Sequence, residues 1–200
     1  MEYRGDTGDP YVDPETGVLR NLAGIRDPEL LDAYEGEMSI MRQVELADIP
    51  PPASFDFEYL KEIHRYLFQD VYAWAGKPRT VDMAKGSTRF GSHLHVEGYL
   101  SKLFSKLAAE RKLWTKSPKL VDWAGRFAEY LGEINAVHSF REGNGRTQRL
   151  FIGRLANEYG FEIRWDRMTA GEMIAASVAS FDGDGEPMRA LIERNLVLLT

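Results

Sequence analysis

Cysteine is absent from this chain of 200 residues, so disulfides, thiolate zinc sites and cysteine nucleophiles are excluded. A chain without cysteine suits reducing surroundings, and we expect a cytoplasmic location. Long apolar runs are lacking too, because no stretch approaches the ~20 residues that cross a bilayer. The polar residues 1–13 do not resemble a secretion signal. The sequence therefore predicts a protein that neither spans a membrane nor is exported through a cleaved signal.

An excess of basic residues is also missing. The chain has 25 Lys and Arg against 31 Asp and Glu, a net charge of -6, which argues against general affinity for nucleic acid or anionic lipid. With 9 Pro and 18 Gly it has too few of either for a low-complexity chain. The 44% hydrophobic content suits one compact domain over residues 1–200.

Apolar residues recur at three- and four-residue steps along most of the chain, which predicts an all-α fold of about seven to eight helices. The clearest pattern runs from Leu120 to about His138, with charged residues on the opposite face. The weak alternation of residues 79–90 predicts a small β-hairpin, and residues 1–17, rich in Gly, Asp and Pro, predict a loose arm. Further helices are expected near residues 28–46, 57–71, 100–107, 144–160, 173–181 and 188–196.

Candidate chemistry is concentrated in His138-Ser-Phe-Arg-Glu-Gly-Asn-Gly-Arg-Thr-Gln-Arg149. Gly143 and Gly145 let an anion approach backbone N–H groups at the start of the next helix, where the helix dipole is positive. Arg146 and Arg149 stand three residues apart, so we expect them on one helix face, gripping separate phosphate groups. The pattern favours a polyphosphate over a monophosphate.

Three further side chains of this segment complete the candidate site. Glu142 is a hard oxygen ligand beside the anion cradle, and Mg²⁺ is commonly held by one or two carboxylates together with phosphate oxygens. His138 can accept a proton from an attacking hydroxyl as general base. Asn144 is expected to add a side-chain donor. Together these residues predict phosphoryl chemistry by positioning and charge neutralisation.

The same segment resembles the signature of the Fic family, His-x-Phe-x-Asp/Glu-Gly-Asn-Gly-Arg-x-x-Arg, at every fixed position. Residues 63–76 and the predicted hairpin at residues 79–90 also resemble Fic proteins, so the likeness extends from the region of Tyr11 to at least Gly160. One departure is Ser139, which stands where the family usually has proline. No chemistry depends on that side chain.

The resemblance implies a helical Fic fold and transfer of AMP from Mg-ATP to a protein hydroxyl. It assigns His138 as the base, Glu142 as the magnesium ligand, residues 143–145 as the anion hole, and Arg146 and Arg149 as triphosphate ligands. It also implies that the hairpin is a flap aligning the target backbone by strand addition. The flap residues expected to dock the target are Arg79, Thr80, Val81, Asp82, Met83, Lys85 and Gly86.

Fic proteins are commonly restrained by a glutamate on an inhibitory helix, in the pattern Ser/Thr-x-x-x-Glu-Gly/Asn. Here Glu35 precedes a glycine, but Leu31 stands at the Ser/Thr position, and Glu193 is followed by Arg194. The resemblance to compact bacterial Fic toxins then implies a separate small antitoxin. We expect its glutamate to pair with Arg146.

Competing interpretations remain open at this point. Some Fic relatives transfer phosphate, UMP or phosphocholine instead of AMP, and a non-catalytic binding module could retain the fold. The likeness to bacterial toxins suggests a type II topoisomerase subunit as target. Structural positions are expected for the other histidines and for three aromatic residues near the motif, namely His64, His93, His95, Tyr72, Trp74 and Phe140.

Overall fold

The computed structural model describes residues 3–5, 8–86 and 88–199. Its helices are α1 Pro28–Ala47, α2 Phe57–Phe68, α3 Val96–Lys116, α4 Trp123–Val137, α5 Asn144–Glu158, α6 Ala170–Phe181 and α7 Glu186–Asn195. The strands are β1 Tyr3–Gly5, β2 Met83–Lys85, β3 Thr88–Arg89, β4 Phe161–Ile163 and β5 Leu196–Leu198. One antiparallel sheet has the order β1-β2-β3, and β4 pairs with β5 in another. The predicted all-α class with a β-hairpin is confirmed.

Side-chain caps fix where several helices begin. Asp27 accepts hydrogen bonds from the Glu29 and Leu30 N–H groups, and Pro28 occupies the first turn of α1, where its missing N–H costs nothing. Helix α6 begins with a capping box between Thr169 and Glu172. Among the described residues, no helix combines the length and the hydropathy that a membrane crossing requires.

Helix α4 lies at the centre of the molecule, against α3, α5, α6 and α7. Its Phe127, Tyr130 and Ile134 have no exposed surface. Their burial explains the clear periodicity, because only a helix surrounded by others needs an apolar face of this width. The buried cluster that they join extends along the chain from Val18 to Ile192. This core fixes the C-terminal end of α4, which carries the candidate site.

Several predicted boundaries were wrong. Helix α2 ends at Phe68, although Val71 is fully buried and donates its N–H to the Phe68 carbonyl in the turn that follows. Helix α7 ends at Asn195, and Leu196 opens β5 instead of continuing the helix. The sequence also gave no sign of β1, β4 and β5, because strands of three residues are too short to show alternation.

The prediction of a loose N-terminal arm is wrong for residues 8–17. Tyr11 is buried, meets Trp74 edge to face with ring centroids 5.3 Å apart, and accepts the Thr80 N–H at 3.1 Å. Asp9 forms a buried ion pair with Arg141 of the motif, with Arg141 Nε at 2.8 Å from Asp9 Oδ2. The polar composition concealed these contacts because one aromatic ring and one carboxylate make them.

Candidate active site

The candidate site lies where α4 ends and α5 begins. His138 is the C-cap of α4 and has a left-handed backbone, with φ 51° and ψ 65°, whereas every other positive φ among the described residues belongs to glycine. Gly143, with φ 76°, is the N-cap of α5. These two residues turn the chain sharply, so the N-terminus of α5 lies close to the histidine backbone. The positive end of a helix dipole therefore faces the predicted site.

The His138 imidazole is buried beneath the flap. Phe90 stacks on it with ring centroids 3.8 Å apart, and only 5% of His138 is exposed. Its Nδ1–H donates to the Asn135 carbonyl at 3.2 Å, which leaves Nε2 as the basic nitrogen. Burial, followed by the positive charges of Lys85 and Arg79, lowers the His138 pKa to about 3. The imidazole is therefore neutral at physiological pH, as a general base must be.

Glu142 is held through its backbone by a histidine that the sequence suggested was only structural. His64 is fully buried, its Nδ1 accepts the Gly76 N–H at 2.8 Å, and its Nε2–H donates to the Glu142 carbonyl at 3.0 Å. Burial lowers the His64 pKa to about 3, so this neutral tautomer persists. His64 thus positions the loop that carries Glu142, a role that no local sequence signal revealed.

The Glu142 carboxylate suits a cation that arrives with phosphates. Burial, followed by the nearby Glu35 charge, raises the Glu142 pKa, so its negative charge is poorly compensated. Its Oε1 accepts the Gly143 N–H at 2.9 Å, and no cluster of three metal-ligating side chains exists among the described residues. Magnesium needs only one or two protein carboxylates when phosphates supply other ligands, so the site fits a magnesium-nucleotide complex.

The structure adds a second reason for the glycine of the loop and shows how the Asn144 side chain is held. Gly143 is required by the fold, because a Cβ there would collide with the Phe68 ring. The buried Asn144 side chain bonds to Phe140 at both ends, since its Oδ1 accepts the Phe140 N–H at 2.9 Å and its Nδ2 donates to the Phe140 carbonyl at 2.7 Å. The amide closes the turn. The contribution of Asn144 to the anion hole stays a prediction.

The side chains of the two motif arginines lie in different surroundings, and their role as triphosphate ligands stays a prediction. Arg146 extends towards α1, where it forms an ion pair with the buried Glu35 and donates to Ser39 Oγ at 3.0 Å. Its guanidinium also lies over the Phe68 ring, 4.8 Å from the centroid. Arg146 is therefore already paired with a glutamate of this chain, and the glutamate of a separate antitoxin stays a prediction.

Arg149 instead lines a cavity of about 330 Å³ together with His138. Burial, and then the charge of Arg146, lower the pKa of the Arg149 guanidinium. No carboxylate of the described residues lies within ion-pair distance of this guanidinium. A cation in such surroundings attracts an anionic ligand. The other lining residues are Lys85, Gly86, Thr88, Phe90, Leu131, Asn135, Gly145, Gln148, Met173, Ile174, Ser177, Val178 and Phe181.

One wall of this cavity was missed by the sequence reasoning. Ile174, Val178 and Phe181 follow the helical pattern that predicted α6, but they are exposed by 56%, 44% and 38% of their surface and line the cavity. Their helical periodicity is the same for a core face and for a ligand-facing wall, so the pattern could not separate the two. An apolar wall opposite an arginine and a helix N-terminus suits a ligand with one apolar and one anionic end.

The flap divides into buried and accessible residues. Arg79, Val81 and Met83 are buried, which leaves their side chains little surface to offer a target. Lys85 and Gly86 line the cavity beside His138. The target-docking role of this segment stays a prediction.

Other parts of the predicted flap are held within the fold. The Asp82 carboxylate is engaged by the His93 N–H and Nδ1, each at 2.8 Å, and Thr80 is bound to Tyr11. On the side away from β3, β2 pairs with β1, with Tyr3 opposite Lys85 and Gly5 opposite Met83.

The structural readings of the nearby aromatic residues are supported. Phe140 is buried and stacks on His64 with centroids 3.8 Å apart. Tyr72 and Trp74 stack at 4.2 Å, and the Tyr72 hydroxyl donates to Glu35. His93 and His95 belong to no metal-ligand cluster among the described residues. A second, open groove of about 670 Å³ runs along Phe55, Phe57 and Phe104 and includes no motif residue.

An all-helical core, a β-hairpin over a helix-to-helix loop and a histidine at the start of that loop together define a Fic fold. The sequence model of the Fic/DOC family matches residues 54–156, and the chain belongs to this family. It is 43% identical over 199 residues to the protein adenylyltransferase VbhT of Bartonella schoenbuchensis, covering 100% of this chain but 41% of that protein. It is 38% identical to the probable protein adenylyltransferase y4lH of Sinorhizobium fredii, covering 93% of this chain and 95% of the relative.

Solved structures show the same fold with nucleotides bound. The N-terminal Fic domain of a putative cell filamentation protein from Bartonella quintana, with bound ADP, superposes with a TM-score of 0.85 at 28% identity, covering 96% of each chain. BepC of Bartonella tribocorum, with bound AMPPNP, gives a TM-score of 0.85 at 26% identity, covering 96% of this chain and 98% of BepC.

Proposed function

We propose that this protein transfers AMP from Mg-ATP to a hydroxyl side chain of a target protein. The observation that carries this proposal is the cavity that a neutral His138 and the partly buried Arg149 both line at the start of α5. The relatives named as protein adenylyltransferases, and the Fic structures with ADP and AMPPNP, support the same reaction class.

His138 has the geometry to take the proton of the attacking hydroxyl. Since Nδ1–H is held by the Asn135 carbonyl, Nε2 receives that proton while the hydroxyl oxygen attacks the α-phosphorus. The bond from the α-phosphorus to the bridging oxygen breaks, and pyrophosphate leaves. The N–H groups at the start of α5 and the Arg149 guanidinium stabilise the negative charge on the phosphates. The base, the cradle and the cation are thus all contributed by one loop and one helix.

Glu142 would hold the magnesium ion that accompanies ATP, because it is the motif carboxylate beside the cradle and its charge is poorly compensated. Bound magnesium would neutralise phosphate charge and favour departure of pyrophosphate. The chain itself holds Glu142 in place through the bond from His64 to its carbonyl.

The decisive experiment compares α-labelled and γ-labelled ATP with the wild type and with His138→Ala. Transfer of the α label to protein, lost by more than about 10²-fold in His138→Ala with nucleotide binding intact, is the expected result. Label arriving only from the γ position would replace adenylylation by phosphotransfer. Transfer from neither position, together with unchanged nucleotide binding, would favour a non-catalytic binding module.

The toxin and antitoxin arrangement implied by the family resemblance is a finer proposal. Because Glu35 already occupies Arg146, we propose that an inhibitory glutamate from a small partner protein pairs with Arg149. Such a pair would displace the phosphate that Arg149 binds. If the product of a neighbouring gene inhibits the wild type at a sub-stoichiometric amount, the same amount should not inhibit Arg149→Lys. Equal inhibition of both proteins would contradict the assignment.

A type II topoisomerase subunit remains the proposed target and the cytoplasm the proposed location, both from the resemblance to bacterial Fic toxins. Mass spectrometry of the labelled lysate band, with His138→Ala as the blank, tests the target. Cell fractionation tests the location.

A further inference from the structure

We propose that Arg79 is a positioning residue that holds His138 in its reactive place by joining the end of α4 to both ends of the flap. The kinetic test of this inference rests on the proposed function. It assigns to Arg79 a role different from target docking, which the burial of this side chain disfavours.

The first observation is the position of the guanidinium. The Arg79 side chain has no exposed surface, and it is among the largest fully buried side chains of the structure. Asp82 is the carboxylate nearest to it, at 3.8 Å, and the His93 N–H and imidazole already engage that carboxylate. A buried arginine with so little ionic compensation must obtain its stabilisation from hydrogen bonds.

Those hydrogen bonds converge on the end of α4. Arg79 Nε donates to the His138 carbonyl at 2.8 Å, Nη2 donates to the Val137 carbonyl at 3.1 Å, and the Arg79 N–H donates to the Ser139 carbonyl at 2.8 Å. The Gly91 N–H donates to the Ala136 carbonyl at 3.2 Å. Four successive carbonyls, from 136 to 139, therefore receive their donors from the two ends of the flap. These are carbonyls that no later turn of α4 can satisfy.

The remaining donors of the guanidinium bind the flap itself. Nη1 donates to the Val81 carbonyl and Nη2 also donates to the Gly91 carbonyl. One planar group thus joins Val81, two residues before β2, and Gly91, two residues after β3, to the backbone of the candidate base. Its positive charge also lies at the negative end of the α4 dipole. Lysine could not reproduce this set, because an ammonium group has three donors at one point instead of a fork.

The backbone of His138 explains why such support is needed. A left-handed conformation is unfavourable for a residue with a Cβ, so it persists only where surrounding contacts impose it. Hydrogen bonds from Arg79 to the carbonyls on both sides of the His138 Cα supply that constraint. A shift of the imidazole of about 1 Å can reduce a rate by about 10²-fold. Arg79 therefore acts through His138 and through the flap, not on the substrate.

The test uses Arg79→Lys with Arg154→Lys as a matched control. Arg154 is also a buried arginine that binds carbonyls at a helix end, with Nη1 at 2.7 Å from the Leu46 carbonyl and Nη2 on the Ile49 carbonyl, but the helix is α1. We expect Arg79→Lys to lower kcat for label transfer from α-labelled ATP by about 10²-fold, with KM for ATP changed by less than about threefold. Arg154→Lys should lower Tm to a similar degree and leave kcat per folded molecule unchanged.

Hydrogen exchange provides a readout that does not require activity. Amides of residues 137–141 should exchange faster in Arg79→Lys and at the wild-type rate in Arg154→Lys. If kcat and exchange in Arg79→Lys equal those of the wild type, or if both variants lose kcat in proportion to Tm, Arg79 is only structural. If the wild type transfers no label, the proposed function fails, and the exchange measurement alone decides the role of Arg79.

Discussion

Arg146 and Glu35 form an ion pair that links the catalytic motif to α1. The carboxylate is only 5% exposed, and it also accepts the Tyr72 hydroxyl, whereas the guanidinium is 28% exposed. Burial and the Glu35 charge together raise the pKa of the Tyr72 hydroxyl well above its ordinary range. The pair therefore places a buried negative charge beside the proposed triphosphate site and keeps Arg146 engaged in the absence of ligand.

Replacing Glu35 with glutamine should strengthen nucleotide binding while weakening the fold. The substitution removes a negative charge that competes with phosphate for Arg146, so the Kd for AMPPNP should fall about threefold to tenfold. Loss of the partly exposed pair should lower the free energy of unfolding by about 2 kcal/mol, less than for a fully buried pair. Calorimetric titration and urea unfolding measure the two effects. An unchanged Kd would show that Arg146 does not meet the nucleotide.

The His138 imidazole should remain neutral far below its ordinary pKa. In the folded chain we expect the NMR signals of its ring to show no protonation between pH 8 and pH 5, because burial lowers the pKa to about 3. Phe90→Ala opens the stacked face, so the pKa should rise towards ~6.5. The His64 ring, which is buried elsewhere, serves as the internal control and should not titrate in either protein. Titration of wild-type His138 near pH 6.5 would contradict this account.

The same pKa difference affects stability. An unfolded histidine binds a proton below about pH 6.5, and the buried one does so only near pH 3, so unfolding takes up a proton between these values. The free energy of unfolding should therefore decrease as the pH falls from about 6.5 towards 3. The contribution of His138 to this slope, at most about 1.4 kcal/mol per pH unit, should shrink in Phe90→Ala.

The parts of the molecule that follow from local pattern were predicted well. Helix α4 was visible because four helices surround it, and the motif was visible because its residue types are clustered in twelve positions. The separate directions of Arg146 and Arg149 were not visible. Spacing by three residues predicts neighbouring positions on a helix, but the Glu35 carboxylate on another helix decides where Arg146 extends.

Long-range partners account for the remaining errors. Tyr11 is fixed by Thr80, and Asp9 by Arg141, across 69 and 132 residues of chain. Such pairs leave no periodic trace in the sequence. Asn144 illustrates the opposite case, because its side chain closes a local turn with Phe140, only four residues away.

Gly143 and Gly183 allow the steric role of the motif glycine to be measured. Both have a positive φ, 76° and 96°, but a Cβ at Gly143 would collide with Phe68, whereas a Cβ at Gly183 would meet nothing within 4 Å. Each substitution by alanine should cost about 1–2 kcal/mol for the backbone conformation. Gly143→Ala should cost about 1–3 kcal/mol more through the collision. Equal values of the free energy of unfolding for the two variants would exclude the Phe68 contact as the reason for glycine.

Pairing of β1 with β2 bears on how a target could reach the flap. Strand addition requires a free row of backbone donors and acceptors, and the outer edge of β2 already pairs with Tyr3–Gly5. If a target adds to this edge, it must displace β1, so removal of residues 2–5 should increase the rate of label transfer to the target at low target concentration. The Kd for AMPPNP should not change, because the cavity residues are retained. A transfer rate that stays constant or falls would mean that the target docks elsewhere, or that β1 supports the flap in its active position.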